Sequence, residues 1–446
     1  MSNQDSAEPA TTQAQPDPYA PTLATIWSIS LLIQELRRFT SQSDFAALCL
    51  LSRKFHDMGN YFLYESAILY SKDKNDTRSI MAFYRTLITQ TELAGCVRSL
   101  QYVSRYPNHW KERELSILES SHLCMLSDLI KKLFRLEALF ILDYFLLSSQ
   151  AVQELNQSLN SLPSLRHLEF DLQAPMVETA SLLRSSPDPF LKYYDVDISI
   201  LKKALTLPSI RSLALTLQES FRTSTSQTLT LPTNNSITKL SLNDLFVTTE
   251  TLRAILTALP RVTELNLQVT IYHDIDTPKS SHLNCQELDE TLMAYAPTLE
   301  SLRILTFFCT FAVPDDYLEY GGGENEYWGI SSTLNLRRYT TLKHLMLAPE
   351  MLLGWKKESS ADLSTCLPDC LESLHFRLDY QDWYASPWDN KNLCEKLQQY
   401  IPYACRSSLK RLTVEREFSY EPNPEPIKIS FASIKLNASV LGFIFS

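Results

Sequence analysis

A chain of 446 residues exceeds what one compact core usually holds, so several domains or a stack of repeats is expected. Its formal charge of −10 excludes a nucleic-acid binder, which needs surplus Lys and Arg on one face, and its 8 glycines leave no P-loop or dinucleotide fingerprint. Nine cysteines without an apolar leader point to a reducing cytosol or nucleus, and no apolar run approaches the roughly 20 residues that span a bilayer.

Residues 1–22 are rich in Pro, Ser, Thr, Gln and Ala and have almost nothing to bury, which predicts a disordered tail. Beyond them Ile29, Leu32, Ile33 and Leu36 lie on one helical stripe, and "SQSD" (Ser41–Asp44) offers a break and an N-cap for the next helix. In the stretch that follows, Phe45, Leu48, Leu51, Phe55, Met58 and Phe62 recur at steps of three and four. This spacing predicts a single apolar helical face that something else must cover. Residues 23–70 therefore read as a small all-helical module and 71–92 as a connecting segment.

From residue 93 to 446 one pattern, apolar-x-x-Leu-x-apolar, returns ten times: at Val97, Leu136, Leu165, Ile210, Ile237, Val262, Leu299, Leu342, Leu371 and Leu409. Its closing Leu-x-apolar alternation is a strand with one buried face. Between the strands lie helix-like segments that run to a proline, at Pro163, Pro260, Pro297 and Pro402, where the helix is expected to stop. One such unit cannot bury its own apolar face, whereas a stack of them forms a continuous core. The expected architecture is thus α/β, a leucine-rich repeat solenoid whose parallel-sheet horseshoe carries outer helices, with "SVLGFIFS" at the C-terminus covering the end of the core. The Asn or Cys that usually follows such a strand is missing from every unit, so the repeats are irregular.

Residues that flank the strand leucines point away from the core, and the later units place Lys239, Glu264, Arg303, His344, His375, Arg377 and Arg411 there. Beside a plain solvated face, this pattern allows a partly cationic patch that attracts an acidic or phosphorylated peptide. The insertion Asp315–Ser332 joins three glycines to Tyr317, Tyr320, Tyr327 and Trp328, and a second aromatic cluster spans Asp379–Trp388. Either these rings anchor a partner, with Tyr327 and Trp328 as substrate contacts, or they fold back over the repeat edge. Packing is preferred, because large aromatics more often fill cores. Cys366 and Cys370 are a pair without the second pair that a zinc site needs, and no Gly-x-Ser-x-Gly presents a nucleophile. No catalytic residue, metal or cofactor is expected, and the chain reads as a non-enzyme.

A helical module followed by irregular leucine-rich repeats resembles the F-box proteins, particularly the large set with degenerate repeats in filamentous fungi. Asp44, Leu48, Leu51, Ser52, Arg53, Phe55, Leu63 and Tyr64 match the second half of the F-box motif. In the first half, Trp27, Ser28 and Ser30 stand where the family has its Leu-Pro pair and Glu, while Leu31, Leu32, Leu36 and Phe39 keep the apolar places. "RRYTTLKHLMLAPEMLLGW" and "LPDCLESLHFRLDYQDWY" are similar to late repeats of such proteins. The resemblance implies an F-box module that binds a Skp-type adaptor, and through it a cullin, by way of Leu31, Leu32, Leu36, Phe39, Leu48, Leu51, Phe55, Leu63 and Tyr64. The repeats would then hold a protein substrate for ubiquitin-dependent degradation. The alternative is a free-standing repeat scaffold whose first helices only cap the solenoid.

Overall fold

The computed structural model describes residues 32–430 except 34, 37–39, 41, 52, 72–77, 105–120, 144–148, 173–197, 217–228, 246–248, 274–282, 311–329, 355–359, 381–387, 389 and 419–426. The expected tail, Leu31, Phe39, the Phe55 side chain, Tyr317, Tyr320, Tyr327, Trp328 and the C-terminal "SVLGFIFS" lie outside the described residues. The chain divides into two compact units, residues 1–67 and 68–446.

In the first unit, helices Gln42–Cys49 and Arg53–Glu65 are separated by a turn at Leu50 and Leu51, whose N–H groups donate to the Ala47 and Leu48 carbonyls, each at 3.1 Å. The run Phe45–Phe62 is therefore two helices and not a single face, because its regular apolar spacing continues by coincidence across the break. Ile33, Phe45 and Cys49 form a sealed core with Met58, Phe62 and Leu63 packed against it, while Leu51 is left 77% exposed in the turn. Gly59 permits this packing. A Cβ there would fall well inside van der Waals distance of Cys49 Sγ, so the two helices meet where one residue has no side chain.

The second unit is built on a long sheet. Its strands are β1 (Ser66–Ser71, which begins at the end of the first unit), β2 (Ser99–Ser104), β3 (Ala138–Asp143), β4 (His167–Leu172), β5 (Ser212–Thr216), β6 (Lys239–Leu245) and β7 (Glu264–His273). After the short β8 (Leu283–Asn284) come β9 (Ser301–Thr310), the short β10 (Ile330–Ser331), β11 (His344–Leu347), β12 (Ser373–Tyr380), β13 (Arg411–Phe418) and β14 (Ile427–Ser430). Strands β8 and β10 form a separate two-stranded sheet, and the rest follow one another in chain order, with β14 antiparallel against β13. Helices Ser121–Ile130, Ser149–Leu159, 198–205, Thr249–Ala258, Cys285–Tyr295 and Asn390–Ala404 lie between successive strands.

From β2 to β13 every pairing in this sheet is parallel, and the pattern leucines stack in register. Leu100, Leu139, Leu168, Leu213, Leu240, Leu265, Leu302, Leu345, Leu374 and Leu412 are each the direct partner of the next. All ten are at most 2% exposed, and the apolar residues at both ends of the pattern are buried as well. A parallel strand pair cannot close with a tight turn, so each rung needs a crossover segment, which helices supply at most of the rungs. A leucine-rich repeat solenoid of α/β class is the result.

Rungs are also joined just before the leucines. The Arg98 carbonyl accepts both Glu137 N–H (2.7 Å) and Ala138 N–H (2.9 Å), and the same two-donor arrangement repeats at Glu137, Arg166, Arg211, Thr238, Thr263, Glu300, Lys343 and Glu372. Turn groups are satisfied case by case. Buried Asn234 donates to the Leu205 and Leu207 carbonyls at 3.0 Å and accepts from Ser236 N–H and Ile237 N–H, which takes the place of a regular asparagine ladder. One expected helix stop is wrong: the helix Asn390–Ala404 runs through Pro402. The proline sits in the last turn, where Tyr400, Ile401 and Ala404 are buried, and that burial outweighs the bias against a helical residue before proline. Of the second aromatic cluster, Trp388 is buried and its indole N–H donates to the Gly354 carbonyl at 2.7 Å, so it packs the repeat edge.

Candidate interaction surfaces

Four of the large apolar side chains on the first unit are open to solvent: Leu50 and Leu51, 80% and 77% exposed, with Leu32 and Tyr61 at 57% and 50%. Of the residues expected to meet an adaptor, Leu32 and Leu51 are among these, while Leu36, Leu48, Leu63 and Tyr64 are half-buried. Leu50 and Tyr61 were not anticipated. The signal for Leu50 lay in "LCLLS", since adjacent leucines cannot share one helical face and one of them must turn outward.

In the second unit, the side chains that follow the ladder leucines stand on the face of the sheet away from the core. Register converts their sequence positions into neighbours: Ser241 opposes Asn266, Asn266 opposes Arg303, Arg303 opposes Met346, and Met346 opposes His375. At β6 and β7 the face is neutral and hydrogen-bonded. Asn266 Nδ2 donates to Ser241 Oγ at 2.9 Å, Ser241 Oγ donates to Asn243 Oδ1 at 3.2 Å, and Asn266 Oδ1 is buried without a partner. The pairing shifts register between Leu242 and Leu245, so the bulge sits beside this cluster.

From β9 onward the face turns cationic. Arg303, His344 and Arg411 are exposed, and His375 and Arg377 are half-buried. Thus Arg303, His375 and Arg377 are brought together, with His344 one strand away. Glu415 Oε2 lies 2.9 Å from His375 Nε2 and pairs with it. Burial holds the His375 pKa below its usual 6.5 against the opposing pull of Glu415, and the Arg303 and Arg377 charges push the same way as burial. Lys239 and Glu264 neutralise one another at 2.6 Å. At the strand starts long side chains pair across rungs, Arg98 with Glu137 at 3.2 Å, Lys343 with Glu300 at 2.9 Å and Lys410 with Glu372 at 2.6 Å, so these six charges cancel in pairs.

Cys366 and Cys370 bond to backbone: the first thiol to the Leu363 carbonyl, the second to those of Tyr339 and Leu342. Burial pushes Cys366 up to about 12, which keeps it a thiol and a poor metal ligand at neutral pH. The strongest polar knot lies elsewhere. Arg337 bonds to Asp369, Tyr403 and the Ser364 and Leu367 carbonyls, tying the turn Leu336–Arg338 to the helices Leu363–Cys366 and Asn390–Ala404.

The fold and these surfaces define a leucine-rich repeat solenoid with an open sheet face. No known family profile matches the chain, and no curated protein does. Among solved structures it is similar to the Rad7–Elc1 complex of yeast, at 15% identity and a TM-score of 0.35, covering 79% of this chain and 75% of that one. A Bacteroides fragilis protein is similar at 10% identity and a TM-score of 0.23, covering 81% of this chain and 67% of that one.

Proposed function

We propose that this chain is a non-enzymatic substrate receptor of a Skp–cullin–F-box ubiquitin ligase, in which the first unit binds the adaptor and the repeats bind a protein substrate. One observation carries the reading. The core of the first unit is sealed around Ile33, Phe45 and Cys49, yet Leu50 and Leu51 stand side by side in water with Leu32 and Tyr61 also exposed. Fully burying such a side chain is worth about 1.5–3 kcal/mol, so these residues favour a partner that covers them. They belong to the segment that carries the F-box resemblance, and that resemblance selects a Skp-type adaptor as the occupant. Leu36, Leu48, Leu63 and Tyr64, expected at the same contact, are half-buried.

Coexpression with a Skp-type adaptor tests the proposal. A stable complex on size exclusion is the expected result. A protein that elutes alone, at concentrations where ordinary F-box proteins bind, would be a free-standing repeat scaffold instead.

A further inference from the structure

The open sheet face changes chemistry along the ladder. In the row directly after the ladder leucines the residues run Gln101, Phe140, Glu169, Ala214, Ser241, Asn266, Arg303, Met346, His375 and Thr413. Positive charge enters only at β9, and Arg377, two residues beyond His375 on β12, projects to the same side. With Glu415 as the carboxylate against His375, the group Arg303, Arg377, His375 and Glu415 carries a net positive charge, on a chain whose total charge is −10. One polar atom here, Asn266 Oδ1, is buried without a hydrogen bond, Arg303 is the direct register partner of Asn266, and His375 Nε2 faces Glu415 Oε2 at 2.9 Å. An orphaned carbonyl oxygen suits a peptide N–H, and two guanidiniums beside an imidazole that already faces one carboxylate suit further anionic groups.

We propose that the face of β7 to β12 around Asn266, Arg303, His375 and Arg377 binds an extended acidic segment of a protein partner, its anionic side chains meeting the two guanidiniums and His375 while Asn266 takes a backbone N–H. This rests on the reading of the repeats as the receptor surface and specifies its ligand. Carboxylate and phosphate share the required chemistry, and a phosphorylated segment brings more charge to the same place. Anion binding also favours the imidazolium, so affinity is coupled to proton uptake at His375, within reach of Glu415, Arg303 and Arg377.

The test is fluorescence anisotropy with the full chain and three labelled peptides of equal length: one rich in Glu and Asp, the same peptide carrying phosphoserines, and a neutral Gln and Asn version. At least one acidic peptide should bind while the neutral one does not, and the tighter of the two acidic arms identifies the carboxylate or the phosphate source. Arg303→Gln and Arg377→Gln should each weaken binding by about tenfold or more, the loss of a charge-assisted contact. His375→Gln should abolish the strengthening of binding expected in the parent chain as falling pH protonates His375. Equal affinity for acidic and neutral peptides, undiminished binding by the double arginine variant, or tighter binding of a single-stranded oligonucleotide than of either peptide would overturn the proposal. Adaptor copurification of the same variants keeps the two readings apart. Adaptor binding without peptide binding sinks this inference alone, whereas peptide binding without adaptor binding sinks the ligase reading and leaves this one standing.

Discussion

Replacing Gly59 by alanine probes how the first unit closes. Its new methyl would overlap Cys49 Sγ, and Cys49 is only 2% exposed in a core shared with Ile33 and Phe45, so the thiol has little room to swing aside. Overpacking of this kind costs about 1–3 kcal/mol, set against roughly 0.5–1 kcal/mol gained because alanine favours a helix interior over glycine. The single variant should therefore be destabilised, by on the order of 1 kcal/mol net or more. Cys49→Ala alone leaves a small void. Combined, the two changes fit each other: with the sulfur gone, the added methyl meets Cβ of residue 49 at 3.7 Å and Phe45 Cε1 at 3.8 Å, which are ordinary contacts. The double variant should then be more stable than the sum of the singles by about 1–3 kcal/mol, as expected for residues in direct contact. Native-state hydrogen exchange on peptides covering Gln42–Cys49 and Arg53–Glu65 measures all four forms in the intact chain. Additivity within about 0.5 kcal/mol, or a stabilised Gly59→Ala, would refute the argument.

Leu51→Asp should abolish adaptor copurification while shifting the melting curve little, since surface changes usually stay within about 0.5 kcal/mol; Leu213→Asp, at a fully buried ladder position, should unfold the repeats, and equal melting losses would make the Leu51 turn a structural cap. Leu265→Ala should cost about 2–5 kcal/mol in denaturant titrations, and a loss under about 1 kcal/mol would mean the ladder collapses around the void. His375 has a folded pKa below its unfolded 6.5, so the unfolded chain takes up the proton first and the stability tied to this group is present above 6.5 and lost as pH falls through the lower folded value. His375→Gln should remove that loss, and a parent-minus-variant stability difference that stays flat below 6.5 would contradict it.

The ladder could be read in the sequence because the strand pattern repeats as a unit: once Leu265 and Leu302 are assigned the same place, stacking follows from the need to bury both. The cationic patch was half-legible for the same reason, since Arg303 and His375 occupy equivalent places and register makes them neighbours two strands apart. What periodicity could not supply was the break at Leu50 and Leu51, where apolar spacing runs on across a turn that only backbone hydrogen bonds reveal. Nor could it tell that buried neighbours would carry a helix through Pro402, or that Asn234, placed before its strand, would satisfy the turn. These outcomes depend on local competition between tertiary burial and backbone preference, which residue type alone does not settle.

With β8 and β10 set apart, the strands of the long sheet lie in chain order from β2 to β13, each rung held by its two neighbours and by a carbonyl that grips the next strand twice. Tension applied across such a sheet finds no pair of strands far apart in the chain that must shear together. Pulled from its ends, the repeat unit should yield rung by rung, each event releasing one repeat's length of chain, because the strength of the stack is local everywhere. The uneven repeat lengths would then appear directly as uneven steps in extension, so that a force trace reads out the spacing of the leucines.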